Sequence, residues 1–171
     1  TYDEIVQIAG QGREAEAIGA FERFLVASPH HAGAHNDLGV LYYRTGRPQE
    51  AVAQYRMAVD AEPRNTIFRK NLADALFIEQ RDTEAALRQY VEILTIEPRD
   101  AETLMALAQV CIELQRYDDA MTFLNTLLST EPWHQQAREL RNALQTRMVL
   151  PSAEATAGIQ DHARAVALYE E

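Results

Sequence analysis

Four prolines constrain this chain more than any other feature. Pro29, Pro63, Pro98 and Pro132 recur at an almost constant interval of about 34 residues, the third unit running one longer, and each follows a stretch with helical spacing of apolar residues. A regular period in this range is the signature of one supersecondary unit copied and stacked. A single helical hairpin is too small to bury its own apolar face, so stacking neighbours must supply the core. The spacing therefore predicts an all-α array, and 171 residues suit one short array.

The clearest copy is Ala34 to Pro63, which carries Leu38-Gly39, Tyr42, Gly46, Ala51, Tyr55, Ala58 and Pro63. That order and spacing match the helix–turn–helix pattern W-x2-L-G-x2-Y…A-x3-F…P, with His35 in the tryptophan slot. The stretch resembles a tetratricopeptide repeat. The resemblance implies a right-handed α-solenoid of antiparallel helix hairpins that serves as a scaffold for binding protein segments.

Read this way, the chain divides into a truncated first unit (1–31), three further units (32–65, 66–100 and 101–134), a capping helix (135–148), and a linker with a final helix (149–171). In the second unit Gly46 suits a left-handed helix end and Pro48 the first turn of the next helix. Gly39 is expected to let its helix cross close to Ala51, with Ala108 and Ala120 doing the same in the fourth unit. The third unit's extra residue falls in the turn 79–84, which has no glycine. In the capping helix Leu140, Ala143, Leu144 and Met148 form an apolar stripe, while Arg138, Arg141, Asn142 and Gln145 make a polar outer face. Ile159, Ala163, Val166 and Ala167 recur at helical spacing and predict the last helix.

Composition narrows the function. The net charge is −10, from 26 acidic and 16 basic residues, so the chain should repel phosphate backbones and no nucleic-acid partner is expected. Cys111 is the only cysteine, which excludes an internal disulfide and a cysteine-based zinc site. It is expected as a buried small hydrophobe. No apolar run approaches the ~20 residues that span a bilayer, so no membrane insertion is expected of this segment. The sequence starts at Thr1, not at a methionine, so an anchor or export signal could lie outside it. The cytoplasm is the default expectation.

No glycine-rich phosphate loop, nucleophile elbow or HExxH occurs, so neither catalysis nor a cofactor is expected. His31 and His35 stand one helical turn apart, a workable ligand spacing. With His30 they straddle a hairpin junction and have no evident third ligand, so surface histidines are expected there and no metal.

The resemblance implies that first helices line a concave face where ligand segments lie. Helix periodicity turns Leu38, Gly39 and Tyr42 to the core and Asn36, Val40 and Tyr43 to another face. The equivalent residues are Lys70, Asp74 and Phe77, then Met105, Gln109 and Ile112, with Tyr2, Val6 and Ala9 from the truncated helix. Tyr43, Phe77 and Ile112 are predicted to form an apolar strip, the alternative being that neighbouring first helices bury them against each other, and Asn71 is predicted to contact a ligand backbone. The family's carboxylate clamp uses lysine, asparagine and arginine side chains, in slots that here hold Tyr2, Val6, Asp37, Ile67 and Asn71, or one unit later Asn36, Val40, Asn71, Glu102 and Ala106. Both sets lack the cations and contain a carboxylate that would repel the ligand, so no such clamp is expected. The segment 100–134 is acidic and is expected either to favour basic or neutral partner segments or to serve as a solvated face that aids solubility. The expected function is an adaptor that holds a protein or peptide segment. The alternative is a self-assembling module, in which the C-terminal helix joins copies as a homo-oligomer or fills the groove.

Overall fold

A computed structural model describes residues 1–148, all helix and turn. In chain order the helices are α1 (Tyr2–Gly10), α2 (Glu14–Ala27), α3 (Ala32–Arg44), α4 (Pro48–Ala61), α5 (Thr66–Ile78), α6 (Thr83–Ile96), α7 (Ala101–Glu113) and α8 (Tyr117–Thr130). Residues 135–148 continue as α9. Each odd-numbered helix from α1 to α7 packs antiparallel on the next, and each of these hairpins packs on its successor. The result is an all-α repeat solenoid. The final helix expected within 149–171 lies outside the described residues.

Local chemistry recurs with the period of the prolines, each of which sits just beyond the end of a second helix. Four side chains in register cap first helices by accepting from the backbone N–H three positions on. His31 Nδ1 accepts from Ala34 (3.0 Å), Asn65 Oδ1 from Phe68 (3.3 Å), Asp100 Oδ2 from Thr103 (2.8 Å) and His134 Nδ1 from Ala137 (3.3 Å). Such caps satisfy amides that a helix start leaves unpaired. α1 instead begins with a Thr1–Glu4 capping box.

The turn inside each hairpin also has an equivalent left-handed residue: Gly12 (φ 77°), Gly46 (φ 75°), Arg81 (φ 53°) and Gln115 (φ 57°). Glycine adopts this conformation freely, whereas an L side chain crowds the backbone. The turn without glycine is therefore made by Arg81, and Glu79 prolongs the helical conformation of α5 before it.

The core is continuous. One buried cluster runs from Ile5 through the first three hairpins to Leu107 and Val110. A second joins Leu104, Cys111, Leu124 and Leu127 to Ala137 and Leu144 of α9. Leu87, Leu94 and Phe123 pack on both. Gly39 makes close packing possible, but its nearest neighbour is the Tyr55 ring and not Ala51: an added Cβ would lie 2.7 Å from the ring's Cε1. Tyr42 is buried, and its hydroxyl donates to Glu22 (2.6 Å), tying the second hairpin to the first.

The expected stripe of α9 needs correction. Leu144 is buried and Leu140 half-buried, but Ala143 and Met148 are exposed and Ala137 is buried in their place. The docked face is turned toward residues 137, 140, 141 and 144, which also half-buries Arg141. Arg138, Asn142 and Gln145 are exposed, as the polar outer face requires.

Two side chains latch successive hairpins. His35 Nε2 donates to the Pro29 carbonyl (2.9 Å), and its Nδ1 meets the Gln54 amide (2.7 Å). One repeat later Arg69 donates through Nε to the Pro63 carbonyl (2.6 Å) and through a terminal nitrogen to Gln89 (2.7 Å). Leu104 fills the same slot at the next junction, with Phe123 at the glutamine position. Of the three histidines expected at the surface, His30 is exposed, whereas His35 is buried with both ring nitrogens engaged and His31, half-buried, caps a helix while stacking on Tyr2 (4.6 Å).

Candidate functional site

Between successive first helices the stack leaves a series of open clefts. The α1–α3 cleft encloses about 270 Å³, the α3–α5 cleft 210 Å³ and the α5–α7 cleft 180 Å³; the cleft between α7 and α9 is about 420 Å³. Small-molecule sites generally need ~300–1,000 Å³ and close around the ligand. Three of these four clefts are smaller, so each suits a side chain, and in series they suit an extended or helical segment.

The first two clefts are copies of each other. In the first, α3 contributes Asp37, Val40, Leu41 and Arg44, and Phe21 forms the floor. In the second, α5 contributes Asn71, Asp74, Ala75 and Ile78, and Tyr55 is the floor. Every pair is one full repeat apart. The repeat thus turns positions i, i+3, i+4 and i+7 of each first helix into a cleft wall, the spacing of one helical face.

This face is turned by one position from the predicted one. Val40, Asn71 and Asp74 lie in the clefts as expected, and Tyr43 forms the opposite wall of the second. Met105 and Gln109 line the α7–α9 cleft, and Lys70 the α5–α7 cleft. Asn36 is a correction. It is buried, its Oδ1 accepts from Asn71 (2.7 Å) and its amide donates to Asp37 (3.2 Å), so it joins two hairpins. The apolar strip is a second correction. Tyr43 is 39% exposed, but Phe77 packs into the larger core cluster and Ile112 into the smaller, and neither lines any of these clefts. Both are half-buried against these clusters. Arg44 and Ile78 were missed; each lies seven residues, two helical turns, beyond Asp37 and Asn71 on the same helical face.

Electrostatics of the groove are set by tyrosines that donate to carboxylates. Tyr2 donates to Asp37 (2.6 Å), Tyr43 to Glu79 (3.1 Å), and Tyr90 to Asp74. Burial, then the bond to Asp37, raises the Tyr2 pKa; burial, then the bond to Asp74, raises that of Tyr90. The bond to Glu79 chiefly raises Tyr43. Burial pushes Tyr55, on the floor, up to about 12. The phenols therefore stay protonated, and Tyr2, Tyr43 and Tyr90 keep donating to these carboxylates. Lys70 is ion-paired with Glu102, and Arg44 with Glu14 (2.7 Å). Among the described residues no group of three or more His, Cys, Asp or Glu side chains is arranged to hold a metal. Among them too, no helix is long and apolar enough to cross a membrane.

Tetratricopeptide-repeat sequence profiles match this chain over residues 9–66 and 46–96, and a second such profile matches 77–144. The chain belongs to the tetratricopeptide-repeat family. No curated protein sequence matches it. Among solved structures, this tetratricopeptide array is similar to MamA, at 19% identity and TM-score 0.80, over 91% of this chain and 85% of that one. It is also similar to YrrB, described as a tetratricopeptide-repeat protein with an unusual peptide-binding site, at 15% identity and TM-score 0.75, over 84% and 74% of the two chains. A third is the first repeat domain of Spaghetti (RPAP3) bound to the HSP90 peptide SRMEEVD, at 19% identity and TM-score 0.63, over 69% and 93%. Likeness at these identities establishes a shared fold.

Proposed function

We propose that this protein is an adaptor that captures a segment of a partner protein along its first helices and performs no chemistry on it. The supporting observation is the duplicated cleft, in which equivalent residues one repeat apart form two adjoining side-chain pockets. Repetition of one pocket along a shared face suits a ligand that is itself a chain. Peptide binding by YrrB and by the Spaghetti domain agrees with that use of the fold. Apolar anchoring falls to Val6, Val40, Tyr43 and Ile78, with Asn71 and Gln109 available to ligand backbone. Lys70 and Asp74 then help set its direction, and Met105 extends the surface toward α9.

Peptides selected from a random displayed library against the whole chain test this reading. Truncating Val6 (40% exposed) and Tyr43 together to alanine should weaken selected peptides about tenfold without unfolding the array. The matched control is Met57→Ala with Val91→Ala, exposed on second helices, and it should leave binding unchanged. Peptides that ignore the first pair and depend on the second would overturn the proposal. Phe77 is unsuitable for this test, because its half-buried ring packs against the core.

A further inference from the structure

The two duplicated clefts carry negative charge that no protein cation meets, and this restricts the ligand. Arg44, the one cation on their walls, is already held by Glu14. Lys70, in the next cleft, is held by Glu102. Asp37 accepts only from the neutral Tyr2 hydroxyl and Asn36 amide. Asp74 accepts from the Tyr90 hydroxyl, and Glu79, beside the second cleft, from that of Tyr43. A hydroxyl donor orients a carboxylate but leaves its full charge in place. Among the described residues no ion pair joins Asp37, Asp74 or Glu79 to a cation. Asp37 and Asp74 are half-buried, where screening by salt is weaker than at the open surface.

We propose that the segment bound between α1, α3 and α5 is both basic and apolar: apolar side chains enter the two clefts, and arginine or lysine pairs with Asp37 and Asp74. This rests on the groove reading above and adds the chemistry of the partner. Charge also sets aside two other occupants. Residues 149–171 hold Glu154, Asp161, Glu170 and Glu171 against Arg164 alone, so the chain's own tail has the wrong sign. A second copy, at net charge −10, has it too. An acidic segment would meet unpaired carboxylates at both clefts.

The test uses the whole chain and three labelled synthetic peptides in which leucine alternates with arginine, serine or glutamate, followed by fluorescence anisotropy. The leucine–arginine peptide should bind at least about tenfold more tightly than the serine one, and the glutamate one weakest. General attraction to an acidic protein is separated by two variants of equal charge. Asp37→Asn with Asp74→Asn should lose about tenfold in affinity, whereas Glu113→Gln with Asp118→Asn should lose less than about twofold. The Asp37→Asn and Asp74→Asn substitutions are also read singly, since each keeps an amide oxygen for its tyrosine. Equal losses from the two pairs, or equal binding of the glutamate peptide, would overturn the proposal. Library-selected peptides that need Val6 and Tyr43 yet lack basic residues would overturn it while sparing the groove. Peptides indifferent to Val6 and Tyr43 would remove both.

Discussion

The junction between the first two hairpins and the junction between the last two solve one packing problem with opposite chemistry. At the first, His35 reaches back to the Pro29 carbonyl and across to Gln54. At the last, Leu104 fills the same slot with 1% exposure, beside an apolar Phe123. Arg69 between them is polar again, with the same two partners one repeat on. The family pattern therefore demands a filled slot and not a particular side chain. A polar filler must satisfy its hydrogen bonds to be tolerated. An apolar one contributes burial directly. The N-terminal hairpins also carry the tyrosine–carboxylate bonds and the duplicated clefts, while the C-terminal end relies on aliphatic packing.

Alkaline pH should break this contrast most severely. Burial pushes Tyr42 and Tyr55 up to about 12 and raises Tyr2 and Tyr90 as well; the bond to Glu79 raises Tyr43. A tyrosine whose folded pKa lies above its unfolded value near ~10 favours the fold while protonated. That stability is complete below pH ~10 and is lost as pH rises toward ~12. Loss of helicity by circular dichroism should track phenolate absorbance over that window. Hydrogen exchange should show α1–α6 opening before α7 and α8; opening in the reverse order would deny the N-terminal hairpins their dependence on tyrosine.

Cutting the two fillers to alanine compares them directly. Leu104→Ala should cost about 2–5 kcal/mol, the usual range for a cavity at a buried leucine. His35→Ala should cost about 1–3 kcal/mol, the penalty for leaving buried polar partners unsatisfied. Urea unfolding measures both, and an equal or larger cost for His35 would reverse the ranking. Gly39→Ala is expected to follow. Its Cβ would meet the Tyr55 ring at 2.7 Å, and overpacking of about 1–3 kcal/mol outweighs a helix-propensity gain of about 1 kcal/mol.

The smallest effect has the opposite sign. Arg81→Gly and Gln115→Gly should each stabilise by about 0.5–1 kcal/mol, relieving a left-handed backbone at some entropic cost. For a chain of this size each substitution should raise Tm by about 2–4 °C or somewhat less. Gly46→Ala, at φ 75°, should lower it.

Architecture was legible in the sequence because proline spacing, the Leu38-Gly39 pair and apolar periodicity are properties of single hairpins. The cleft wall was less so. Periodicity assigns each side chain a direction about its own helix, with an error of roughly one position. One position was enough to exchange Asn36 and Phe77 for Asp37 and Ile78. Contacts between hairpins were the least legible. Asn36 with Asn71, His35 with Pro29 and Tyr2 with Asp37 each depend on how far neighbouring units are offset, which no single unit encodes. The repeat interval that links the two cleft walls was visible from the start, but it relates Asn36 to Lys70 as well as Asp37 to Asn71, so it could not choose between the two faces.

The lone thiol gives the molecule a built-in reporter. Cys111 is wholly enclosed where the fourth hairpin meets its neighbours, and burial raises its pKa, so an alkylating reagent reaches it only when that region parts. Labelling kinetics on the unaltered protein would therefore time the opening of the aliphatic end, with no engineered probe and no competing sulfhydryl.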